Sequence, residues 1–131
     1  MGIEENKALV QKFYDAGAQG DMDTCFSIIA DDITWTNIGS TKVSGTYTGK
    51  QELMEKLLGP LFGQLKAGIT SDIERLTAEG DIVIAQTEGT AEKHDGTPYN
   101  NSYCQVIRIE DGQFVEVKEY FDTELAARVL D

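Results

Sequence analysis

Residues 81–121, DIVIAQTEGTAEKHDGTPYNNSYCQVIRIEDGQFVEVKEYF, decide the fold. The stretch is rich in Ile, Val, Thr, Tyr and Phe, and it is cut by the turn signals HDGTP and EDG, whose glycines tolerate the positive φ that hairpin turns require. With the preceding run it predicts strands over 69–77, 81–93, 99–109 and 113–121, the first two separated by AEGD. Alternation assigns Val115, Val117, Glu119 and Phe121 to one face of the last strand, with Glu116, Lys118 and Tyr120 opposite. In the strand before it, Asn101, Tyr103, Gln105, Ile107 and Ile109 share a face. Each row is apolar at one end and polar at the other, as when a sheet seals a core at one end and lines a pocket at the other.

Upstream, the apolar spacing becomes helical. Leu9, Val10, Phe13 and Gly17 mark a first helix over 3–17, and Asp21 reads as the N-cap of a short second one through Phe26 and Ile29. ITWTN then reads as a short strand, and the stretch to Thr48 as loop with fragments of strand. Thr48 and Gln51 form a capping-box pattern that opens an apolar helix, which Pro60 should kink or break. Asp122 is placed to cap a last helix, TELAARVL. Helices first and a meander of strands after is an α+β pattern, and with 131 residues and no linker-like stretch the expectation is one domain over 1–131.

Composition excludes several functions. A net charge of -12 repels phosphate backbones and anionic lipid, so no nucleic acid and no membrane is expected as a partner. The start, MGIEEN, has no leader character, and no apolar run approaches the ~20 residues that span a bilayer, so the expected location is cytoplasmic. Cys25 and Cys104 fit buried, inert thiols. Asp21 and Asp23 are explained by helix capping; with a single histidine, His94, beside a predicted turn, neither a metal nor any other cofactor is expected. DIVIA is apolar on both faces, and an exposed apolar sheet face points to a homodimer.

Glu119 is the sharpest candidate for chemistry. A carboxylate in an apolar row is costly to ionise, and burial raises its pKa toward the range useful for proton transfer. The alternative places it at an exposed strand end, paired with Lys118 or Arg108. Asn101, Tyr103 and Gln105 could hold a ligand's polar groups or form a self-satisfied ladder. Trp35 and Asn37, two apart, offer an aromatic wall with an amide beside it, or a plain core residue.

AQGDMDT, IIADDITWTNIGS, TGKQEL, YNNSYCQVIRIEDGQ and EVKEYFDTELAARVL, in this order, resemble the SnoaL-like, ketosteroid isomerase-related branch of the nuclear transport factor 2-like superfamily over nearly the whole chain. The resemblance implies a cystatin-like cone, in which a strongly curved antiparallel sheet wraps around N-terminal helices and encloses a pocket for a small hydrophobic molecule. It carries over residue by residue. Where ketosteroid isomerases keep a tyrosine, a general-base aspartate and an oxyanion-hole acid, this chain has Phe13, with Tyr14 adjacent, Asn37 and Gln105, so steroid isomerisation is not expected. Limonene epoxide hydrolase holds its catalytic water at places matching Trp35, Asn37 and Glu119, but its Arg and second Asp fall at Thr87 and Gly89. The resemblance therefore implies Glu119 and Asn37 as catalytic residues and Trp35, Phe13, Tyr14, Tyr103 and Gln105 as substrate-binding residues. An isomerase, cyclase or hydrolase moving a proton with Glu119 is the first expectation. A binding module without turnover is the second, and an oligomerisation domain with a filled cone the third.

Overall fold

A computed structural model describes residues 2–131. Helix α1 (Ile3–Ala18) and helix α2 (Met22–Ile28) precede strand β1 (Ile29–Asn37) and strand β2 (Gly45–Thr48). Asp21 caps α2 as expected, its carboxylate accepting the Thr24 amide at 3.2 Å. β1 is longer than ITWTN, because Ile29–Asp32 also pair or continue the extended chain.

The third helical region departs from expectation in two ways. Thr48 is not its cap: its backbone pairs with Thr34 in the sheet, Gly49 takes the N-cap position at φ +91°, and Glu52 instead of Gln51 reaches back to the Thr48 amide at 2.5 Å. Pro60 does not break the run. Helix α3 (Lys50–Glu52) passes into a π-helical turn at Leu53–Leu58 and then into α4 (Gly59–Gln64). The wider turn lets the Gly59 amide reach Met54 O, and it leaves Pro60 in the first turn of α4, where a missing amide costs nothing. A Cβ at Gly59 would lie 2.9 Å from that Met54 carbonyl, so the close approach requires glycine.

Strands β3 (Thr70–Glu79), β4 (Ile82–Thr90), β5 (Asn101–Glu110) and β6 (Gln113–Phe121) follow, then helix α5 (Thr123–Leu130), capped by Asp122 through the Leu125 amide at 3.1 Å. The expected strand over 81–93 ends at Thr90; beyond it the chain is held by isolated bridges and turn bonds such as Lys93 N–H to Thr97 O. The six strands form one sheet in the order β2-β1-β6-β5-β4-β3. Every pair is antiparallel except β1–β6, which is parallel. Register shifts in β1, β3 and β6 bend the strands into the cone, since each bulge adds local twist and curvature.

The bulge in β6 also corrects the predicted row. Glu116 pairs with Arg108 but Phe114 pairs with Ile109, so Val115 is skipped and Phe114, 1 % exposed, takes the inward place. From Val117 onward the alternation is as expected. Two apolar clusters result. The larger joins α1, the Leu53–Leu58 turn and the sheet around Val10, Leu53, Ile107 and Val117; the smaller gathers Leu65, Tyr99, Ala126 and Leu130 under α5. Between them, the sheet register lines up Asn37, Glu119, Gln105 and Ala85 on adjacent strands. Next to this row runs a second, Phe121, Tyr103 and Thr87.

Candidate functional site

The polar row exists because β1 enters the sheet parallel to β6, which sets Asn37 beside Glu119, while β5 sets Gln105 on the other side. α1 crosses the inner face and brings Phe13 and Tyr14 down onto it, Phe13 packing on Phe114 at 5.0 Å between ring centroids. Tyr14 OH donates to Gln105 Oε1, and Gln105 Nε2 donates to Glu119 Oε1 at 2.6 Å. The relay is consistent in polarity: the phenol claims the amide oxygen, so the amide nitrogen faces the carboxylate. Glu119 Oε2 has no hydrogen-bond donor among the described residues, and Glu119 lines a cavity of about 350 Å³. That volume is at the small end of the ~300–1,000 Å³ typical of small-molecule sites.

Burial governs the electrostatics. Desolvation pushes the Glu119 carboxyl from 4.5 up to about 7, opposed by the hydrogen bond from Gln105. Desolvation also raises the Tyr14 phenol, reinforced by the charge of Glu119 and opposed by a hydrogen bond with Thr87. Tyr103 is raised as well, by desolvation and then by Tyr99. Both phenols therefore stay protonated near neutrality, Tyr14 donating to Gln105, whereas Glu119 exchanges its proton there. No Lys, Arg or His is among the described residues lining the cavity.

Glu119, Asn37, Trp35, Phe13, Tyr14, Tyr103 and Gln105 all line this one cavity. The solvent-exposed alternative for Glu119 does not occur. Arg108 pairs with Glu110 and Glu116, and Lys118 lies 5.4 Å over the Tyr120 ring, all on the opposite face. Asn37 is constrained: Oδ1 accepts from Trp35 Nε1 at 2.9 Å and Nδ2 donates to Val43 O at 2.8 Å, leaving one N–H and one lone pair for a ligand or water. Trp35 is thus both a core residue, 7 % exposed, and a wall of the cavity.

Asn101 is structural. Its amide donates to Tyr99 OH and Asp122 O and accepts the Asp122 amide, tying β5 to the start of α5. Of the two thiols, Cys25 is buried and pushed up by desolvation, but Cys104 is half-buried on the outer face, because it alternates with Gln105; both are free. His94 sits in its turn with Nε2 3.0 Å from Gly63 O. Residues missed from the sequence include Leu58, Leu61 and Phe62, which close the cavity from the third helical region, and Thr87, which lines it from β4. Thr87 was legible by alternation from Val83 and Ala85; the helix contribution was hidden by the π-helical turn, which rotates the apolar stripe.

Gly89 fits against Tyr103. A Cβ there would lie 2.7 Å from Tyr103 Cε2 and 3.0 Å from Ile69 Cγ2, so the bare backbone leaves room for the ring beside the cavity.

Among the described residues no helix is long and apolar enough to cross a membrane. No curated protein matches the chain. Among solved structures, a nuclear transport factor 2-like protein of unknown function from Burkholderia pseudomallei is similar at 20% identity, covering 99% of this chain and 98% of its own, with a TM-score of 0.85. Bal32a, from a soil-derived mobile gene cassette, is similar at 23% identity over 96% and 95%, TM-score 0.82. An epoxide hydrolase from Mycobacterium tuberculosis, of the limonene epoxide hydrolase-like type, is similar at 22% identity over 93% and 86%, TM-score 0.75. These likenesses establish the fold. The SnoaL-like domain model matches residues 10–117, and on that span the chain belongs to the SnoaL-like domain family.

Proposed function

We propose that the cavity takes a small, mostly apolar molecule and that Glu119 exchanges a proton with it, directly or through a water held at Asn37. The observation that supports this reading is the Glu119 carboxyl itself: it faces the cavity, one oxygen is fixed by Gln105, and the other is free. A carboxyl pushed up to about 7 is half ionised near neutrality, where it serves as either acid or base. Tyr14 and Gln105 position it, and Trp35, Phe13 and Tyr103 orient the apolar body. A similar fold in the Mycobacterium tuberculosis epoxide hydrolase agrees with hydrolytic proton transfer, although Thr87 and Gly89 supply no second acid here. The test is turnover of a panel of isomerase, cyclase and epoxide substrates by the wild type and by Glu119→Gln. Loss of about two to four orders of magnitude in kcat supports the assignment; equal turnover removes Glu119 from the chemistry.

A second reading, binding without turnover, is favoured by one observation: Glu119 is the single carboxyl among the described residues lining the cavity. Tight binding of a ligand that is recovered unchanged would select it. The filled-cone reading finds no support in a cavity of about 350 Å³. As for assembly, a cytoplasmic homodimer would use the outer sheet face, where Ile82, Ile84, Val106 and the 40 % exposed Tyr120 form an apolar surface on three neighbouring strands. Light scattering of Ile84→Glu, expected monomeric where the wild type is dimeric, tests it.

A further inference from the structure

The charge inventory of the cavity narrows its ligand, given the reading above that Glu119 faces that ligand. Small metabolites of suitable size include many carboxylates and phosphates, and such anions need a cationic partner in a site sheltered from water. None of the described residues lining the cavity is Lys, Arg or His. Its one charged side chain is Glu119, whose Oε2 lacks a donor. The other polar side chains lining the cavity are neutral, among them Tyr14 from α1, Asn37 from β1, Thr87 from β4, Tyr99 just before β5, and Gln105 and Tyr103 from β5. Around them stand the rings of Phe13, Tyr14, Trp35, Tyr103 and Phe121, whose π-faces attract cations. Outside, the chain carries a net charge of -12, which raises the local concentration of cations and depletes anions.

We propose that the cavity selects an organic ammonium, a primary or secondary amine on an apolar or aromatic body, with its N–H groups on Glu119 Oε2. The ammonium supplies the counter-charge that the folded chain does not provide, and its remaining N–H groups reach the free lone pairs of the polar row. A neutral alcohol of the same shape donates a single hydrogen bond and leaves the carboxylate uncompensated when ionised. A carboxylate of the same shape is repelled.

The proton balance follows from the same arrangement. Before binding, Glu119 is partly protonated near neutrality. An ammonium ligand favours the ionised form, so Glu119 releases its proton to the buffer while the ligand keeps its own. With the carboxyl at about 7, close to half a proton per site leaves at pH 7. A neutral ligand that accepts a hydrogen bond from the protonated carboxyl does the opposite and takes protons up.

The test is isothermal titration of the whole chain with phenylbutylamine, phenylbutanol and phenylbutyrate, each in two buffers of different ionisation enthalpy. The proposal expects the amine to bind about tenfold or more tightly than the alcohol, with proton release, and phenylbutyrate not to bind. Glu119→Gln, which can still accept the Gln105 hydrogen bond, should lose the amine's advantage and its proton release while the alcohol changes less than about threefold. Proton uptake with the amine, an alcohol that matches the amine, or no amine binding at millimolar concentration overturns the ammonium assignment and leaves the proton-exchange reading to its own turnover test. Affinities for all three probes that are measurable and unaltered by Glu119→Gln would overturn both, since Glu119 would then not face the ligand.

Discussion

Glu119→Gln should make the protein more stable, and only on the alkaline side. The carboxyl titrates at about 7 in the folded chain against 4.5 for an ordinary glutamate. Between those values the folded state holds a proton that the unfolded state has released, so folded stability falls as pH rises from about 4.5 and levels off above about 7. At about 1.4 kcal/mol for each pH unit separating the two values, the full loss is about 3 kcal/mol. Glu119 opens onto the cavity and is not sealed in the core, which makes this an upper bound. The substituted amide carries no charge at any pH and keeps the contact with Gln105. Urea unfolding at a series of pH values should therefore give coincident stabilities for the two proteins near pH 4 and a gap that opens to as much as ~3 kcal/mol by pH 8 in favour of the variant. In thermal melts the same gap is roughly 10 °C. Other acids do not imitate this signature. Asp21, Glu52 and Asp95 are held below their ordinary values, chiefly by hydrogen bonds from Thr24, Thr48 and Thr97, so their contributions fade as pH falls, and equally in both proteins. Parallel stability profiles across the whole range would refute the placement of an ionisable Glu119 in the cavity.

Three further changes probe the surroundings. Tyr14→Phe frees Gln105 Oε1 and lets the amide turn away from Glu119; since the Gln105 hydrogen bond holds the carboxyl down, its midpoint should rise by up to about one pH unit, read by NMR titration. Gly89→Ala should push the Tyr103 ring toward the cavity, costing about 1–3 kcal/mol in chemical denaturation and weakening any ligand that fills the site. Asn101→Ala leaves the Asp122 amide and carbonyl without their partner where β5 meets α5, and should cost about 2–4 kcal/mol with little change in the Glu119 midpoint.

The α+β order, the bounds of β6 and the caps at Asp21 and Asp122 were legible because each rests on local physics: alternation, turn glycines and carboxylates placed before helical runs. What escaped local reading depended on distant chain. The parallel β1–β6 pairing that puts Asn37 against Glu119 has no signal in either strand alone. The bulge that substitutes Phe114 for Val115 appears only in the pairing with β5, and the π-helical turn before Pro60 breaks the 3.6-residue period that the apolar spacing follows. Glu119 itself was visible as a carboxylate in an apolar row. Its partners were only partly so: Gln105 followed from alternation, whereas the Tyr14 hydroxyl reached it by a helix crossing that periodicity does not specify.

Titration of the Glu119 carboxyl carbon by NMR in the ligand-free protein, assigned by its absence in Glu119→Gln, separates a sheltered carboxyl from a solvated one. The midpoint should fall at about 7, set by desolvation and tempered by Gln105. A midpoint at the ordinary 4.5 would contradict it, because a solvated carboxyl at that place would neither face a sheltered cavity nor exchange protons with what the cavity holds.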